Sequence, residues 1–219
     1  WSSDVCSSDL PKDGKFLIVS NHPMGAADAI ALYHTIYPAR NDLFFFANEL
    51  FVYLLGAFHD LLAPVMWSKE KETHSANKVT LERLSVFFGD GRPGIIFPSG
   101  RLSRLTFFGL WDRPWEKTPI ALAKKYNFPL IPVYVEGRNS WFFYFASYVN
   151  KQLRDVSQLN ELFNKRDKNI SIKIGKPVSV SSLSDNSDIA INQLRYKSES
   201  LRKKALLKLN RFIYLRNLR

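Results

Sequence analysis

The sequence predicts an α/β fold, a single domain with a mainly parallel central sheet and helices on both faces. Short apolar runs that are typical of buried strands alternate along the chain with segments of helical spacing, and this order favours parallel strands joined by helices. The chain has 219 residues, of which 46% are apolar, so it is long enough for one core of ordinary size. No internal repeat or linker divides it, which is why one domain is predicted.

The first part of the chain predicts four strands separated by three helices. Apolar runs mark the strands at 16–19, 43–47, 63–67 and 94–97. Helical spacing of apolar residues marks the helices at 29–37, 49–62 and 75–88. The first helix is expected to stop at Pro38 and the third at Gly89-Asp90-Gly91, because proline and glycine end helices.

The second part predicts two strands, at 130–136 and 170–174, and helices at 118–126, 141–153 and 158–164. Residues 98–117 carry many basic and aromatic side chains and are expected to form a long irregular loop, a kind of segment that is often functional. A long basic amphipathic helix is predicted over 186–219. Such a helix is typical of a membrane-surface element, and a helix packed on the domain with a solvated basic face is the open alternative.

The first ten residues do not resemble the rest of the domain. They read WSSDVCSSDL, with Ser-Ser-Asp twice, and show neither core periodicity nor the shape of a signal peptide. We interpret residues 1–10 as an adapter-derived, non-native segment and assign the domain to 11–219, with the native protein expected to begin upstream. The only cysteine, Cys6, lies in this segment, which excludes an internal disulfide and a cysteine-based zinc site.

The net charge of +11 predicts an anionic partner, such as a phospholipid surface, a phosphorylated substrate or nucleic acid. Much of this charge lies near the C-terminus, where residues 195–219 contain nine basic side chains and one acidic one. No stretch reaches the roughly 20 apolar residues that span a bilayer. The nearest candidate, 50–67, contains His59 and Asp60 in its middle and predicts a buried helix or one that dips into a leaflet.

A histidine and an aspartate after the first predicted strand form the candidate catalytic pair. His22 follows the strand, and Asp28 lies where the next helix is expected to begin. A carboxylate held against one ring nitrogen leaves the other free to take a proton from a hydroxyl or amine. Gly25 permits a turn that other residues resist, and Pro23 stiffens the chain beside His22. A helix cap beside a surface imidazole is the alternative for this pair.

Two arginines follow the end of the strand predicted at 94–97. Gly100 lets the backbone approach a ligand, and the guanidinium groups of Arg101 and Arg104 match phosphate or carboxylate oxygens. A solvated basic loop is the alternative. Because ligands bind beyond the carboxyl ends of parallel strands, this loop, the His22 turn and the end of strand 130–136 are expected to converge on one site.

With these three features the chain resembles the PlsC-like glycerolipid acyltransferases, typified by lysophosphatidic acid acyltransferase, over about residues 15–180. The matching residues are Asn21, His22 and Asp28 in the first motif, Phe97, Pro98 and Gly100 in the next, and Ile131-Pro132-Val133 in the last. The five residues between His22 and Asp28 (HX5D) resemble the hemolysin-like and lyso-ornithine-lipid branch, as does Arg138-Asn139-Ser140 followed by aromatics. Ser99 and Arg101 stand where an acid and a threonine are typical of the family.

The resemblance implies acyl transfer from acyl-CoA or acyl-carrier protein to the hydroxyl of a lysolipid, on the cytoplasmic face of an anionic membrane, as a peripheral protein. His22 is then the general base and Asp28 orients it, and no metal or other cofactor is implied. Backbone N–H groups near Gly25, or a guanidinium, are expected to meet the developing oxyanion. The expected substrate-binding residues are Asn21, Gly25, Ser99, Gly100, Arg101, Arg104 and Pro132.

Two other functions remain open at this point. One is a non-catalytic binder of anionic lipid or nucleic acid, although no nucleic-acid partner is expected because no helix-turn-helix, zinc-finger or RNA-binding signature is present. The other is a related N-acyltransferase that forms an amide. Geometry distinguishes an enzyme from a binder, since the enzyme needs His22 and Asp28 within hydrogen-bond reach and Arg101 or Arg104 facing the same cleft, whereas a binder can have these groups dispersed.

Overall fold

The computed structural model describes residues 10–48, 56–65, 74–107, 109–166 and 168–202. The interpretation of residues 1–10 falls almost wholly outside these ranges. The first part of the predicted helix 49–62 and residues 203–219 of the predicted C-terminal helix also lie outside the described residues. The described end of helix 49–62 is a short 3-10 helix, Gly56–Leu61.

Six strands form the central sheet, with β1 (Leu17–Ser20) near its middle. Its parallel neighbours are β4 (Gly94–Ile96) and β7 (Leu130–Glu136). The full order is β3 (Leu62–Val65), β2 (Phe44–Asn48), β4, β1, β7 and β8 (Ser171–Ile174). Only β8 runs antiparallel to its neighbour, so the mainly parallel sheet is confirmed. The carboxyl ends of β1, β4 and β7 therefore meet at one edge, as the sequence predicts.

Helices cover both faces of the sheet. They are α1 (Ala26–Ile36), α2 (His74–Gly89), α3 (Thr118–Tyr126), α4 (Trp141–Val149), α5 (Lys151–Asn164) and α6 (Ser187–Glu199). One core contains Phe88 of α2, Ile120 of α3 and Leu194 of α6. The other contains Leu32 of α1, with Leu162 of α5 packed against it. The strands between these cores are apolar on both sides, which is why they appear as continuous apolar runs.

The segment 98–117 contains a β-hairpin, so the expectation of a wholly irregular loop is wrong. Strand β5 (Arg104–Thr106) pairs antiparallel with β6 (Gly109–Trp111). The three residues of β5 are all exposed. A strand this short, with no buried face, has no apolar alternation that a sequence pattern can detect.

Two predicted helices have different limits in the structure. The predicted helix 141–153 divides into α4 and α5 because Asn150 takes an extended conformation and its Oδ1 accepts the N–H of Gln152 at 2.7 Å. The predicted helix 186–219 does not run unbroken, since α6 ends at Glu199 and a turn follows at 200–202. The guanidinium of Arg195 bonds both Glu199 and the carbonyl of Asp112, which ties the last turn of α6 to the domain.

No helix within the described ranges combines the length and the apolar sequence that crossing a bilayer requires.

Candidate active site

His22 and Asp28 are in contact at the carboxyl edge of the sheet. His22 lies two residues beyond β1, and Asp28 lies in the first turn of α1. The Nδ1 atom of His22 is 3.0 Å from Oδ2 of Asp28, although the ring N–H is not aimed straight at that oxygen. Hydrogen bonds of catalytic groups are often poorly aligned before substrate binds. The aspartate is fully buried and the histidine side chain is 19% exposed, so the pair has one covered end and one open end.

Asp28 is held by the turn that precedes it. Its Oδ2 accepts the backbone N–H groups of Met24 at 2.8 Å and Gly25 at 3.0 Å. Its Oδ1 is buried and accepts no hydrogen bond from any part of the chain that the structure describes. Burial raises the pKa of Asp28 above its ordinary value, and the contacts with His22, Met24 and Gly25 counteract part of that rise.

Gly25 makes this turn possible. Its φ is +83°, a conformation that side chains resist, and a Cβ atom there would lie 3.2 Å from Cδ2 of Leu102. The N–H groups of Met24 and Gly25 both point at Asp28. The expectation that backbone N–H groups near Gly25 meet an oxyanion therefore does not hold for these two, because they are already engaged.

An aromatic ring supports the histidine from the next strand. Phe97 follows β4, and its ring stacks on that of His22 with centroids 4.1 Å apart and planes inclined by 26°. Phe97 is buried, so one face of the imidazole is covered by a fixed surface. This contact limits the rotation of His22.

Asp112, which the sequence analysis did not single out, joins the segment 98–117 to His22. Its Oδ1 accepts the backbone N–H of His22 at 3.2 Å and also bonds the hydroxyl of Ser103. Its Oδ2 accepts Nε1 of Trp115 at 3.0 Å. The N–H of Ser103 in turn donates to the carbonyl of His22 at 2.9 Å. The main chain of His22 is therefore held on both sides by the segment 98–117.

This segment also carries a cluster of arginines. Arg101 and Arg104 are exposed and flank Ser103, and Arg113 follows Asp112. Burial, and next the positive charges of Arg104, Arg101 and Arg154, lower the pKa of Arg113. Its Nε is buried and donates to no acceptor among the described residues. Arg113 and Arg154, which sequence reasoning missed, thus join the two predicted arginines in one cluster.

Ser99 and Gly100 shape the turn that begins this segment. The N–H of Gly100 donates to the carbonyl of Phe97 at 2.9 Å, and Gly100 has a φ of +58°. The hydroxyl of Ser99 donates to the carbonyl of Arg101 at 2.9 Å. Both residues are next to the arginines, and their substrate contacts stay predictions.

Asn21 and Pro132 have scaffold contacts in this structure. The side-chain amide of Asn21 is buried and bonds both backbone groups of Val135. Pro132 is buried inside β7, level with Val19 of β1, and packs against Gly175. These contacts account for both residues without a substrate, so their predicted substrate contacts gain no support from the geometry.

Within the described ranges, no three His, Cys, Asp or Glu side chains come together as a metal site requires. The expectation of a reaction without a metal or other cofactor stays a prediction.

Comparison with known proteins identifies the family. A family model described as acyltransferase matches residues 1–212. The chain belongs to this acyltransferase family. Two similar proteins are each named lyso-glycine lipid O-acyltransferase. The one from Phocaeicola vulgatus is 30% identical over 177 residues, and the one from Bacteroides thetaiotaomicron is 31% identical over 179 residues.

These alignments cover 78% of this acyltransferase chain. The chain spans 61% and 63% of the length of the two relatives. A crystal structure of the 1-acyl-sn-glycerophosphate acyltransferase PlsC from Thermotoga maritima superposes with a TM-score of 0.53 at 18% identity. That match covers 95% of this chain and 71% of PlsC, and it confirms the predicted fold. The resemblance to PlsC-like acyltransferases near the lyso-aminolipid branch is thus confirmed.

Proposed function

We propose that this protein transfers a fatty acyl group from a thioester, acyl-CoA or acyl-carrier protein, to the hydroxyl of a lysolipid. The observation that carries the proposal is the contact between Nδ1 of His22 and the buried Asp28 at 3.0 Å. A pair arranged in this way suits a general base, since one ring nitrogen is held and the other faces away from the carboxylate. The relatives named lyso-glycine lipid O-acyltransferase support the same reaction.

In the proposed mechanism the acceptor hydroxyl attacks the thioester directly. Nε2 of His22 takes the hydroxyl proton while the oxygen forms a bond to the carbonyl carbon. Asp28 holds the ring orientation and stabilises the imidazolium that forms, as a triad carboxylate does. The carbon–sulfur bond then breaks, and the imidazolium returns its proton to the departing thiolate. The acyl ester and the free thiol leave, and His22 is again neutral.

The arginine cluster is the proposed site for the anionic part of a substrate. Three of its members, Arg101, Arg104 and Arg113, belong to the segment whose Ser103 and Asp112 hold the main chain of His22. The charges that lower the pKa of Arg113 are those of Arg104, Arg101 and Arg154, so an external carboxylate or phosphate would counter this concentration of positive charge. The proposed acceptor is a lyso-aminolipid with an anionic head group, and a guanidinium is the remaining candidate for stabilising the oxyanion.

We place the reaction at the cytoplasmic face of a membrane, with the protein bound peripherally. The net charge of +11 supports attraction to an anionic leaflet. The acyl chain of a lysolipid also partitions into the bilayer, where the acceptor is therefore concentrated.

Acyl transfer from radiolabelled donors tests the proposal. The protein is incubated with acyl-CoA or acyl-carrier protein and a panel of lyso-glycine, lyso-ornithine and lysophosphatidic acid lipids. We expect labelled diacyl product with at least one lyso-aminolipid. An ester bond in the product is cleaved by mild alkali, whereas the amide of an N-acyltransferase resists it. Lipid binding without any transfer from either donor would instead favour the non-catalytic binder.

A further inference from the structure

The outward face of α4 is apolar and aromatic. Five side chains point to solvent at intervals that place them on one side of the helix, with exposures from 57% to 92%: Trp141, Phe142, Phe145, Tyr148 and Val149. The opposite side packs inward through Phe143 and Ala146. A helix at the surface of a soluble domain normally presents polar residues outward, so α4 shows the reverse.

The next helix, α5, also presents apolar side chains to solvent, among exposed polar ones. Its exposed side chains include Leu153, Val156 and Phe163, of which Phe163 is 74% exposed. Its buried side chains include Ser157 and Glu161, and Lys165, which directly follows the helix, is also buried. Nζ of Lys165 donates to Glu161 at 2.8 Å, so the charges are turned inward while apolar groups face outward. Although burial opposes ionisation, the bonds from Lys165 and Ser140 hold the pKa of Glu161 below its usual range.

The two helices form one surface beside the reactive pair. Glu161 of α5 accepts the backbone N–H of Ser140 at 2.9 Å, and Ser140 caps α4. The hydroxyl of Tyr144, on α4, accepts the N–H of Asn139 at 3.1 Å. A Cβ atom at Gly137, three residues before Ser140, would collide with Sδ of Met24, so the segment that leads into α4 adjoins the turn that holds Asp28. Exposed apolar side chains grouped on adjacent helices, rather than scattered singly, are typical of an interaction site.

We propose that the outward face of α4 and α5 docks the protein on an anionic bilayer by inserting its aromatic side chains into the interface. Trp and Tyr, which both occur on this face, are the residues enriched where a membrane meets water. Arg138 lies over the ring of Trp141 at 5.8 Å, a position from which it can reach lipid phosphates beside the inserted rings. The inference rests on the proposed function, because a lysolipid acceptor would enter the adjacent site from the same bilayer.

Vesicle binding of the full chain tests this surface. The probe is a large unilamellar vesicle of phosphatidylcholine with about one third phosphatidylglycerol, a content that gives an anionic surface. The test variant is Phe142→Ser/Phe145→Ser/Tyr148→Ser, which changes only exposed side chains. The matched control is Val86→Ser/Ile189→Ser, which changes exposed apolar side chains of α2 and α6 on the other face of the sheet.

We expect the test variant to lose at least about tenfold in vesicle partitioning by co-sedimentation, since binding scales with the apolar area inserted. The control should bind like the wild type, and both should keep the thermal unfolding midpoint. A brominated lipid in the vesicle should quench the tryptophan fluorescence of the wild type more than that of Trp141→Phe, because Trp141 is on the inserted face. Unchanged partitioning of the test variant would overturn the proposal. So would a concentration-dependent dimer of the wild type that the same three substitutions dissociate, because a second copy would then cover this face.

Activity measurements separate this inference from the proposed function. With a lysolipid acceptor kept below its micelle concentration, the test variant should transfer acyl groups at the wild-type rate, whereas transfer to vesicle-borne acceptor should fall with partitioning. Vesicle binding by the wild type through this face without any transfer would reject the proposed function and still support the docking surface.

Discussion

The side chain of Asn21 pairs with both backbone groups of Val135. Its Nδ2 donates to the carbonyl of Val135 at 2.9 Å, and the N–H of Val135 donates to its Oδ1 at 2.7 Å. The backbone pairing of β1 with β7 ends at Ser20 and Val133, one residue before Asn21 and two residues before Val135. The amide thus extends the contact between the strands beyond the last backbone pair, while the main chain is free to turn outward at His22.

Replacing Asn21 by Asp should weaken both the fold and the reaction. A carboxylate cannot donate to the carbonyl of Val135, and it places negative charge against that oxygen. We expect a loss of about 1–3 kcal/mol in the free energy of unfolding, the usual cost of an unsatisfied buried group. We also expect kcat to fall more than the acceptor KM changes. Urea unfolding and steady-state kinetics measure this, with exposed Asn41→Asp as the control; equal stability of the two variants would contradict the assigned role.

Replacing His22 by Ala should remove most of the acyl transfer. The imidazole is the only proposed base, and general-base assistance is typically worth about 10²–10⁴-fold. The fold should persist, because His22 is partly exposed and loses mainly its contact with Phe97, worth about 1 kcal/mol. The control is His34→Ala on the exposed side of α1. Wild-type kcat in His22→Ala would overturn the assignment.

Replacing Asp28 by Asn should lower acyl transfer without lowering the stability of the fold at neutral pH. Since burial raises the pKa of Asp28, the native carboxyl binds its proton more tightly than the unfolded chain does. The wild type should therefore gain free energy of unfolding, relative to Asp28→Asn, as the pH falls through the raised pKa. This gain should level off below pH about 3.9, the ordinary pKa of an aspartate in the unfolded chain. Each tenfold difference in proton affinity corresponds to about 1.4 kcal/mol.

The measurement is a series of urea titrations from neutral to acid pH, with exposed Asp185→Asn as the control. At neutral pH the variant should be at least as stable as the wild type, while acyl transfer falls because the ring orientation is no longer fixed by a charge. If acidification instead lowered the free energy of unfolding of the wild type relative to that of Asp28→Asn, the assigned environment of Asp28 would be wrong.

The fold and the contact between His22 and Asp28 were predictable because their signals are local. His22 and Asp28 lie on one strand-to-helix turn, so their spacing alone brings them together. The limits of β7 (Leu130–Glu136) and α3 (Thr118–Tyr126) agree with the sequence prediction. Helix α3 ends at Asn127, which takes the left-handed conformation that often follows a helix.

The remaining features depend on contacts between distant parts of the chain. Asp112 reaches His22 across 90 residues, through a hairpin whose strands have no detectable pattern. The helical spacing of Phe142 and Phe145 indicates an apolar face but not whether it points inward or outward. The structure turns that face outward because Phe143 and the buried ion pair of α5 occupy the inner side.

Replacing Asp112 by Ala should slow the reaction through the position of His22. The variant loses the acceptor for the N–H of His22, the hydroxyl of Ser103 and Nε1 of Trp115. We expect kcat to fall by about tenfold or more and the free energy of unfolding by about 1–3 kcal/mol. Asp112→Asn keeps one acceptor oxygen and should restore part of the rate. A loss of stability with unchanged kcat would show that Asp112 is merely structural.

Replacing Arg113 by Gln should weaken acceptor binding without destabilising the protein. Arg113 is partly buried among like charges, so removing its charge relieves repulsion and the free energy of unfolding should stay constant or increase.

If the cluster binds an anionic head group, the acceptor KM of Arg113→Gln should rise by about tenfold while kcat changes little, since a hydrogen bond to a charged group is worth about 1.5–3 kcal/mol. Arg101→Ala should act in the same direction, and Arg166→Ala, at an exposed position two residues after α5, serves as the control. Increasing salt should raise the KM of the wild type more than that of Arg113→Gln, because screening acts on the charge that the variant lacks. An acceptor KM that none of the cluster variants changes would exclude a head-group role for these arginines.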